Sequence, residues 1–239
     1  MHISLQPEII TSFLGIPISN SLILSLITAS LLVVGGFLVV RSVKMLPGKA
    51  QNTIETLVEG ILTFMGQALG NKEQAKKFFP LVATIFLFIL FNNWIGVLPG
   101  TGSIEFRHAP LFRSANSDLN TTLALALISV FAIQFYGIRK LGFFSHFSKF
   151  FAFRKGLLEA FVGLLELVGE FAKVLSFSFR LFGNIFAGEV LLIIVMTLVP
   201  VIAPFPFIML EFFVGFIQAL VFAMLTLIFL KIATETVEH

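Results

Sequence analysis

The sequence predicts an all-α polytopic membrane protein, and both its composition and its pattern of apolar runs support this fold class. Of the 239 residues, 57% are hydrophobic and 12% are charged, and the mean hydropathy is +1.01, far above that of soluble domains. Apolar runs of about 18 residues or more recur, whereas alternating strands do not, so helices satisfy the backbone in lipid. We therefore expect one membrane domain over residues 1–239, with three simple transmembrane helices, one interfacial amphipathic helix and a C-terminal hairpin of two long, strongly tilted helices.

Several classes of site are excluded by residue types and motifs that the sequence lacks. It has no cysteine, which excludes disulfides and thiolate metal sites. Neither a Gly-rich phosphate loop nor a dinucleotide fingerprint occurs, so no nucleotide site is expected. The net charge of +3 is small, and the basic residues lie mostly at helix ends, which favours a role in topology over nucleic-acid binding. His108 and His146 lack ligand spacing, so we expect no metal site and no cofactor.

The chain is expected to begin outside the membrane. Residues 1–20 form the predicted outer N-terminal segment, because they lack the basic region and the small-residue cleavage site of a signal peptide. Residues 21–41 follow as an uninterrupted apolar run of spanning length. Arg41, Lys44 and Lys49 close this run, and the positive-inside rule places that end in the cytoplasm and the N-terminus outside.

The next segment, residues 50–70, is predicted to lie in the membrane interface as an amphipathic helix. Its apolar residues fall on one helical face, whereas Glu55, Glu59 and Gln67 fall on the other. A core helix of a soluble domain has a similar pattern, but spanning segments on both sides of this one argue against that interpretation. Three lysines that follow it keep its far end cytoplasmic.

Residues 78–98 form the second predicted span and carry three polar side chains near their outer end. Trp94, the only tryptophan of the chain, is expected at the headgroup level, where tryptophan commonly anchors a helix. Asn92 and Asn93 are more typical of helix–helix contacts than of a transport site. We therefore expect this helix to have neighbours on its outer half.

A polar outer loop over residues 99–118 is predicted to lead into the third simple span, residues 119–138. Asp118 or Asn120 is expected to cap this helix, since Asp and Asn are favoured at the N-cap position. Two basic residues follow the apolar run, which places its far end in the cytoplasm.

The last two predicted helices are too long for simple perpendicular spans. Residues 156–199 contain no proline inside the helical run, and about 43 helical residues extend ~65 Å, against a hydrocarbon core about 30 Å thick. Pro200, Pro204 and Pro206 break this run, and residues 205–233 form the final helix. The chain is thus expected to end in a strongly tilted hairpin with a cytoplasmic C-terminus.

The first long helix carries charges that are costly in a bilayer. An ionised side chain near the midplane costs somewhere between ~3 and ~15 kcal/mol, so a use for the charge is expected. At 100° per residue, one helical face collects a set of polar residues that all lie within about 80° of Arg180, whereas Glu189 points to the opposite side. This face, which we call the polar stripe, comprises Glu166, Glu170, Lys173, Ser176, Arg180 and Asn184.

The last helix offers two polar side chains to the first. Glu211 and Gln218 are seven residues apart and therefore share a helical face. Residues at one level of an antiparallel hairpin have a nearly constant sum of residue numbers, so one register can place Gln218 beside Arg180 and Glu211 beside Glu189. A structural ion pair or a snorkelling arginine would also explain such charges.

The charges are sorted by depth along the hairpin. Glu166 and Glu170 lie toward the cytoplasmic end, Glu189 and Glu211 lie toward the outer end, and Arg180 lies between the two pairs. Arginine stays protonated and cannot relay a proton, although it favours the ionised form of a carboxylate brought by a partner. Two carboxylate-lined routes separated by a permanent cation suit a proton path that must not run straight through.

With these residues, the chain resembles subunit a of the rotary F-type ATP synthase family, bacterial type. The motif is Arg180-Leu-Phe-Gly-Asn184-Ile-Phe-Ala-Gly-Glu189, supported by Gln218 in Phe-Ile-Gln-Ala-Leu-Val-Phe. Asp118-Leu-Asn-Thr-Thr and the opening Met1-His-Ile-Ser are also similar to the family, so the resemblance covers essentially the whole chain.

The resemblance implies a role for each matching residue. The arginine matching Arg180 faces the carboxylates of the c-subunit ring and prevents a proton short-circuit. The resemblance also associates several positions with the outer half-channel and the arginine environment, namely Asn184, Glu189, Glu211 and Gln218. Glu166 matches a position on the inner side. Some bacterial relatives carry His where this chain has Glu211. Both side chains are polar and titratable.

The mechanism implied by the resemblance is rotary. Protons enter past Glu211 and Glu189, load a carboxylate of the c ring, and leave past Glu166 and Glu170 after nearly a full rotation. The implied partners are the c-subunit ring, the b subunits of the peripheral stalk and membrane lipid, in a bacterial inner membrane. The chain would be the proton-translocating stator subunit, which binds no nucleotide and is not an enzyme on its own.

Two other hypotheses are compatible with an intramembrane arginine. A secondary transporter or channel can use it as a substrate counter-ion, but such folds commonly contain inverted repeats, and the first half of the chain has no second block like that around Arg180. A non-conducting assembly subunit would use the charges only as structural pairs. Replacement of Arg180 by Ala separates these hypotheses.

Overall fold

The computed structural model of the chain describes residues 7–13, 15–44, 48–98, 105–106, 109–110, 113–143, 157–199 and 202–235. Its elements in chain order are β1 (Ile9–Phe13), β2 (Ile16–Ser19), α1 (Asn20–Ser42), α2 (Lys49–Leu69), α3 (Lys72–Val97), β3 (Glu105–Phe106), β4 (Ala109–Pro110), a 3-10 turn (Ala115–Ser117), α4 (Leu119–Leu141), α5 (Leu157–Leu198) and α6 (Pro204–Thr234). Within these ranges, α1, α3, α4, α5 and α6 are long and apolar enough to cross a membrane. The all-α polytopic fold is thereby confirmed.

α2 is the amphipathic helix expected between the first two spans. It packs against α3 through Met65 and Leu69, which are buried, whereas Leu57 on its outer side is exposed. Gly70 ends the helix in a left-handed conformation with φ of +70°, which a glycine adopts without steric cost. The helix therefore lies on the flank of the bundle and leaves an apolar surface free.

Side-chain caps set where the next two spans begin. Asn71 Oδ1 accepts hydrogen bonds from the backbone N–H groups of Glu73 and Gln74, at 2.9 and 3.2 Å, so α3 begins six residues before the predicted start at 78. Asp118 is the cap of α4, because its Oδ1 accepts from the Asn120 N–H at 2.9 Å. Its Oδ2 accepts from Ser21 Oγ at 2.7 Å, which ties α1 to α4.

A short β-hairpin precedes α1, and the sequence did not predict it. β1 and β2 pair antiparallel, with Phe13 opposite Ile16, and Gly15 between them has φ of +82°. Ser19 at the end of β2 caps α1, since its Oγ accepts from the Leu22 N–H at 3.2 Å. Residues 1–6 of the predicted outer segment lie outside the described residues.

Two apolar clusters hold the spans together. One joins α2, α3, α4 and α6 and includes the buried side chains of Met65, Phe78, Ile133, Leu227 and Leu230. The other joins α3, α4, α5 and α6 and includes the buried side chains of Ile89, Ala126, Leu181, Ile185 and Phe222. α1 is peripheral, because its buried residues lie only in its first half. The hairpin of α5 and α6 is therefore anchored through α3 and α4.

The hairpin helices have the lengths expected of oblique spans. α5 contains 42 residues, which extend ~63 Å at 1.5 Å per residue, about twice the thickness of the hydrocarbon core. α6 contains 31 residues and begins at Pro204, where a missing N–H costs nothing because the first turn of a helix leaves it unpaired. Such helices fit a membrane only when they are tilted or curved.

A close approach at the outer end of α3 gives a test of the packing. A Cβ on Gly96 would lie 2.5 Å from Ser114 Cβ and 2.8 Å from Ser114 Cα, so Gly96→Ala must push the loop before the 3-10 turn away from α3. We expect this change to destabilise the protein by about 1–3 kcal/mol. Thermal unfolding of the purified protein in nanodiscs measures the loss.

A matched control for this change is Gly60→Ala in α2. A Cβ at Gly60 has no neighbour within 4 Å, so the higher helix propensity of alanine is expected to leave the stability equal or slightly raised. Equal melting temperatures for the Gly96→Ala and Gly60→Ala proteins would contradict the packing of Ser114 on α3.

Candidate functional site

The centre of the site is an exposed face of α5. Ser176, Arg180 and Asn184 are four residues apart and exposed, whereas Phe177 and Leu181 on the neighbouring face are buried in the bundle. The α-helical period therefore keeps one row of polar side chains outside while the adjacent row packs against α4 and α6. The central part of the predicted polar stripe therefore lies on the surface of the bundle.

Arg180 is held by a neutral partner. Its Nη2 donates to Ser176 Oγ at 3.1 Å, and in the described ranges no carboxylate comes within 4.0 Å of its guanidinium. Leu175 and Phe179 beside it are both more than half exposed. A permanent cation thus lies in an apolar surface that faces away from the rest of the bundle.

Gln218 joins this row from α6. Asn184 Nδ2 donates to Gln218 Oε1 at 2.6 Å, so the hydrogen bond of Gln218 is made one helical turn beyond Arg180. The register expected from the sequence placed Gln218 beside Arg180 itself, with residue numbers that sum to 398 rather than 402. The contact of Glu211 with Gly188, whose residue numbers sum to 399, keeps the expected register, so the bond to Asn184 reflects the reach of two amide side chains.

Glu211 lies at the outer part of the hairpin, against Gly188. Its Oε1 is 2.7 Å from where a Cβ on Gly188 would stand, so only glycine leaves room for the carboxylate there. Glu211 is 7% exposed, and its Oε2 has no hydrogen-bond partner among the described residues. The structure therefore brings Glu211 beside the backbone that carries Glu189, as the hairpin register predicted.

Glu189 has a partner that the sequence did not indicate. Arg113 Nε lies 3.2 Å from Glu189 Oε1, and the Arg113 side chain is 9% exposed. The same Nε donates to Ser117 Oγ at 3.1 Å, and the guanidinium lies over the ring of Phe186 at 6.0 Å. An arginine expected in a solvated outer loop is thus buried in the site.

The two predicted inner carboxylates, Glu166 and Glu170, lie far along α5 from Glu189. Glu170 forms an ion pair with Lys173 at 2.5 Å, and Lys173 Nζ lies 4.8 Å from the ring centre of Phe229 on α6. Glu166 is exposed one turn further toward the start of α5. Glu170 and Glu189 are nineteen residues apart, or ~28 Å along the helix, so Arg180 lies between two distant acidic groups.

Buried polar side chains connect α6 and α3 to the 3-10 turn before α4. Asn93 Nδ2 donates to the Gly215 carbonyl of α6 at 2.9 Å, and Asn116 Nδ2 donates to Asn93 Oδ1 at 2.7 Å. Asn93 therefore makes the helix–helix contact expected of it, whereas Asn92 bonds the Phe88 carbonyl of its own helix at 2.9 Å. Several buried polar atoms have no partner in the described ranges, among them Asn116 Oδ1, Ser114 Oγ and Gln218 Nε2. Such atoms are typically satisfied by water.

No metal centre is found in the part of the chain that the structure describes, since no group of three acidic, histidine or cysteine side chains is arranged to hold an ion. His108 and His146, for which no metal role was predicted, lie outside the described residues. The chemistry that the described site supports is consequently that of carboxylates, amides and fixed cations.

Comparison with known proteins places the chain in a family. The family described as ATP synthase A chain matches residues 22–231. ATP synthase subunit a of Campylobacter jejuni subsp. jejuni serotype O:23/36 (strain 81-176) is 36% identical over 212 residues, which are 89% of this chain and 88% of the relative. ATP synthase subunit a of Helicobacter pylori (strain Shi470) is 38% identical over 198 residues, which are 83% of this chain and 82% of the relative. The resemblance noted in the sequence is confirmed, and the chain belongs to the ATP synthase A chain family.

Proposed function

We propose that this chain is the stator of a proton-driven rotary machine, in which Arg180 separates two offset half-channels and faces a rotating ring of c subunits. The observation that carries the proposal is the exposure of Arg180 on the outer surface of the bundle, hydrogen-bonded only to a neutral hydroxyl among the described contacts. Membership of the ATP synthase A chain family supports a membrane-sector role in ATP synthesis and proton transport. This family membership also argues against the hypothesis that the chain is a secondary transporter.

The exposed cation calls for a counter-charge from a partner. An arginine at membrane depth that faces only lipid is costly, by ~3 to ~15 kcal/mol, so the face around Arg180 suits a protein that presents carboxylates. Arginine cannot release its proton, but it stabilises the ionised form of a carboxylate that comes close. A rotor carboxylate that reaches Arg180 would therefore be forced to give up its proton.

The outer half-channel is assigned to the side of the hairpin with Glu189 and Glu211. Asn184 and Gln218, which bond each other at 2.6 Å, line the route from these carboxylates toward Arg180. Glu211 is buried and offers an unpartnered oxygen within the described residues. Protons from outside would pass these groups to load a rotor carboxylate, which then turns through lipid as a neutral acid.

The inner half-channel is assigned to Glu166 and Glu170. Ser176, which orients Arg180, lies between this pair and the arginine. After nearly a full turn of the rotor, protons would leave past the inner pair to the cytoplasm. About 2.3 kcal/mol is available per charge for every 100 mV of membrane potential, and this drives the rotation. The chain itself would supply the ion path and no nucleotide site.

The proposed setting is a bacterial inner membrane, with the N-terminus outside. The b subunits of the peripheral stalk would hold the chain against the torque, and α2, with an apolar face exposed on its flank, is a helix on which such a support can rest. The basic residue in the last turn of α1 supports this orientation, because positive charge favours the cytoplasmic side.

Disulfide cross-linking tests whether the Arg180 face meets the rotor. The chain has no cysteine, so Phe179→Cys, at a position that is 53% exposed beside Arg180, introduces a single thiol. We expect it to form a disulfide with a cysteine placed one turn from the carboxylate of the c subunit, and gel mobility of the oxidised complex measures the product.

The control for this experiment is Val33→Cys, which is 72% exposed on α1, a helix that packs against α3. It is expected to give no disulfide with the same rotor cysteine. An equal yield from both positions, or no product from Phe179→Cys, would place the rotor elsewhere and remove the basis of the proposed function.

A further inference from the structure

The outer end of the site holds two carboxylates and one buried cation, supplied by three different segments. Glu189 comes from α5, Glu211 comes from α6, and Arg113 comes from the segment before the 3-10 turn. Arg113 Nε lies 3.2 Å from Glu189 Oε1 and 3.4 Å from its Oε2. α3 contributes a neutral side chain, Asn93, to the same region. A further buried acid, Asp118, follows Ser117 and bonds elsewhere, since its Oδ2 accepts from Ser21 Oγ of α1 at 2.7 Å.

Arg113 forms an ion pair with Glu189 and is also fixed by Ser117 and Phe186. Ser117 Oγ accepts a hydrogen bond from Arg113 at 3.1 Å, and the ring of Phe186 lies 6.0 Å from the guanidinium carbon. The Arg113 side chain is 9% exposed, so the guanidinium depends on protein groups for its neutralisation. An arginine fixed in this way is a permanent positive charge at a defined position.

The other acid differs in what surrounds it. The Glu211 carboxylate packs against Gly188, where a Cβ would clash with it. The Oε2 atom of Glu211 has no hydrogen-bond partner among the described residues. Glu189 is partly exposed, with 29% of its side chain accessible, and it holds the guanidinium of Arg113. The geometry gives Glu189 the cation and leaves Glu211 free to bind and release a proton.

We propose that Arg113 is a positioning residue of the outer half-channel, which neutralises Glu189 and thereby assigns proton transfer to Glu211. This inference rests on the proposed function and deepens it, because it divides the two outer carboxylates between a fixed ion pair and a proton carrier. In this proposal Arg113 acts through the charge of Glu189 and does not itself carry the proton.

A double-variant experiment on the whole enzyme tests this assignment. The purified ATP synthase is reconstituted in vesicles without its catalytic sector, and proton uptake is driven by a potassium diffusion potential. We expect Arg113→Gln to lower the flux at least tenfold, because the charge of Glu189 then has no fixed counter-ion beside Glu211. We expect Glu189→Gln to lower it similarly, because Arg113 then pairs with Glu211 and keeps it from accepting a proton.

The combination of both changes distinguishes a charge role from a packing role. In Arg113→Gln/Glu189→Gln, the cation and its acid are removed together, and Glu211 is again the free carboxylate, so the flux is expected to recover to within about threefold of the unmodified enzyme. If Arg113 served only to pack the loop, the double variant would be at least as impaired as each single one, and the inference would be overturned. The double variant decides the question even if Arg113→Gln alone fails to assemble, and a double variant that also fails to assemble overturns the inference.

Two further variants separate this inference from the function on which it rests. Lys76→Gln removes a surface ion pair with Glu73, 3.3 Å long, and is expected to leave the flux unchanged. Glu211→Gln is expected to lower it. A loss in Glu211→Gln together with an unrescued double variant contradicts the role of Arg113 and leaves the outer route intact. An unchanged flux in Glu211→Gln contradicts the proposed route itself.

Discussion

Replacing Arg180 with alanine is expected to abolish coupled ATP synthesis, with a loss of at least a hundredfold, while proton leak through the membrane sector stays measurable or rises. In the proposed mechanism the guanidinium is the fixed charge between the outer and inner acidic groups, so alanine would remove both the barrier to a relayed proton and the group that discharges the rotor. ATP synthesis by reconstituted vesicles under an imposed proton gradient measures the first effect. Passive proton flux after removal of the catalytic sector measures the second.

Two companion variants sharpen this prediction. Arg180→Lys is expected to restore little, because an ammonium lacks the guanidinium geometry and can release its proton when it is desolvated. Arg139→Gln, at the exposed end of α4, is the matched control and is expected to synthesise ATP normally. Retention of coupled synthesis in Arg180→Ala would contradict the rotary gate, and failure of the assembled complex to form would favour a purely structural role for the arginine.

The fold class followed from the sequence because its signals are local and strong. A bilayer demands long apolar runs with internally bonded backbones, and such runs are visible in the order of residues alone. The amphipathic α2 was likewise visible in its helical period. The N-terminal hairpin of β1 and β2 was not predicted, because strands of five and four residues carry too few side chains for a period of two to stand out.

The site was predictable only along single helices. A period of 3.6 residues correctly put Ser176, Arg180 and Asn184 on one face of α5, and the sum of residue numbers brought α6 beside it to within one turn. Gln218 bonds Asn184, although the contact of Glu211 with Gly188 keeps the expected register. A register predicts the level of two backbones, but it does not predict the rotamer that each side chain adopts.

Helical periodicity could not predict the contacts between a loop and a helix. Arg113 and Glu189 are 76 residues apart, and the arginine lies in a polar segment that has the composition of a solvated loop. Folding of the 3-10 turn onto α3, α4 and α5 buries it. The roles of Gly96 and Gly188 were hidden for a related reason, since a glycine shows its purpose only when the neighbouring chain that needs the space is in place.

The second large effect is expected from Glu211→Gln, which should slow proton entry at least tenfold. Glutamine nearly matches glutamate in shape, so the buried position between α5 and α6 is expected to remain packed. The amide of glutamine, however, cannot bind and release a proton at neutral pH. Gly188→Ala gives a complementary loss, because its new Cβ would stand 2.7 Å from Glu211 Oε1 and displace the carboxylate without removing it. Proton flux into vesicles, driven from the outer side, measures both variants.

The pattern of these losses identifies what Glu211 contributes. If it carries protons, Glu211→Gln is the more severe variant and Gly188→Ala is intermediate, since a displaced carboxylate still exchanges protons at a lower rate. If the position matters only for packing, the order reverses, because glutamine keeps the shape of the side chain and the alanine Cβ disturbs the contact between the helices. Gly36→Ala on α1, where a Cβ has no neighbour within 4 Å, controls for the substitution itself. Unchanged flux in Glu211→Gln would remove this residue from the proton path.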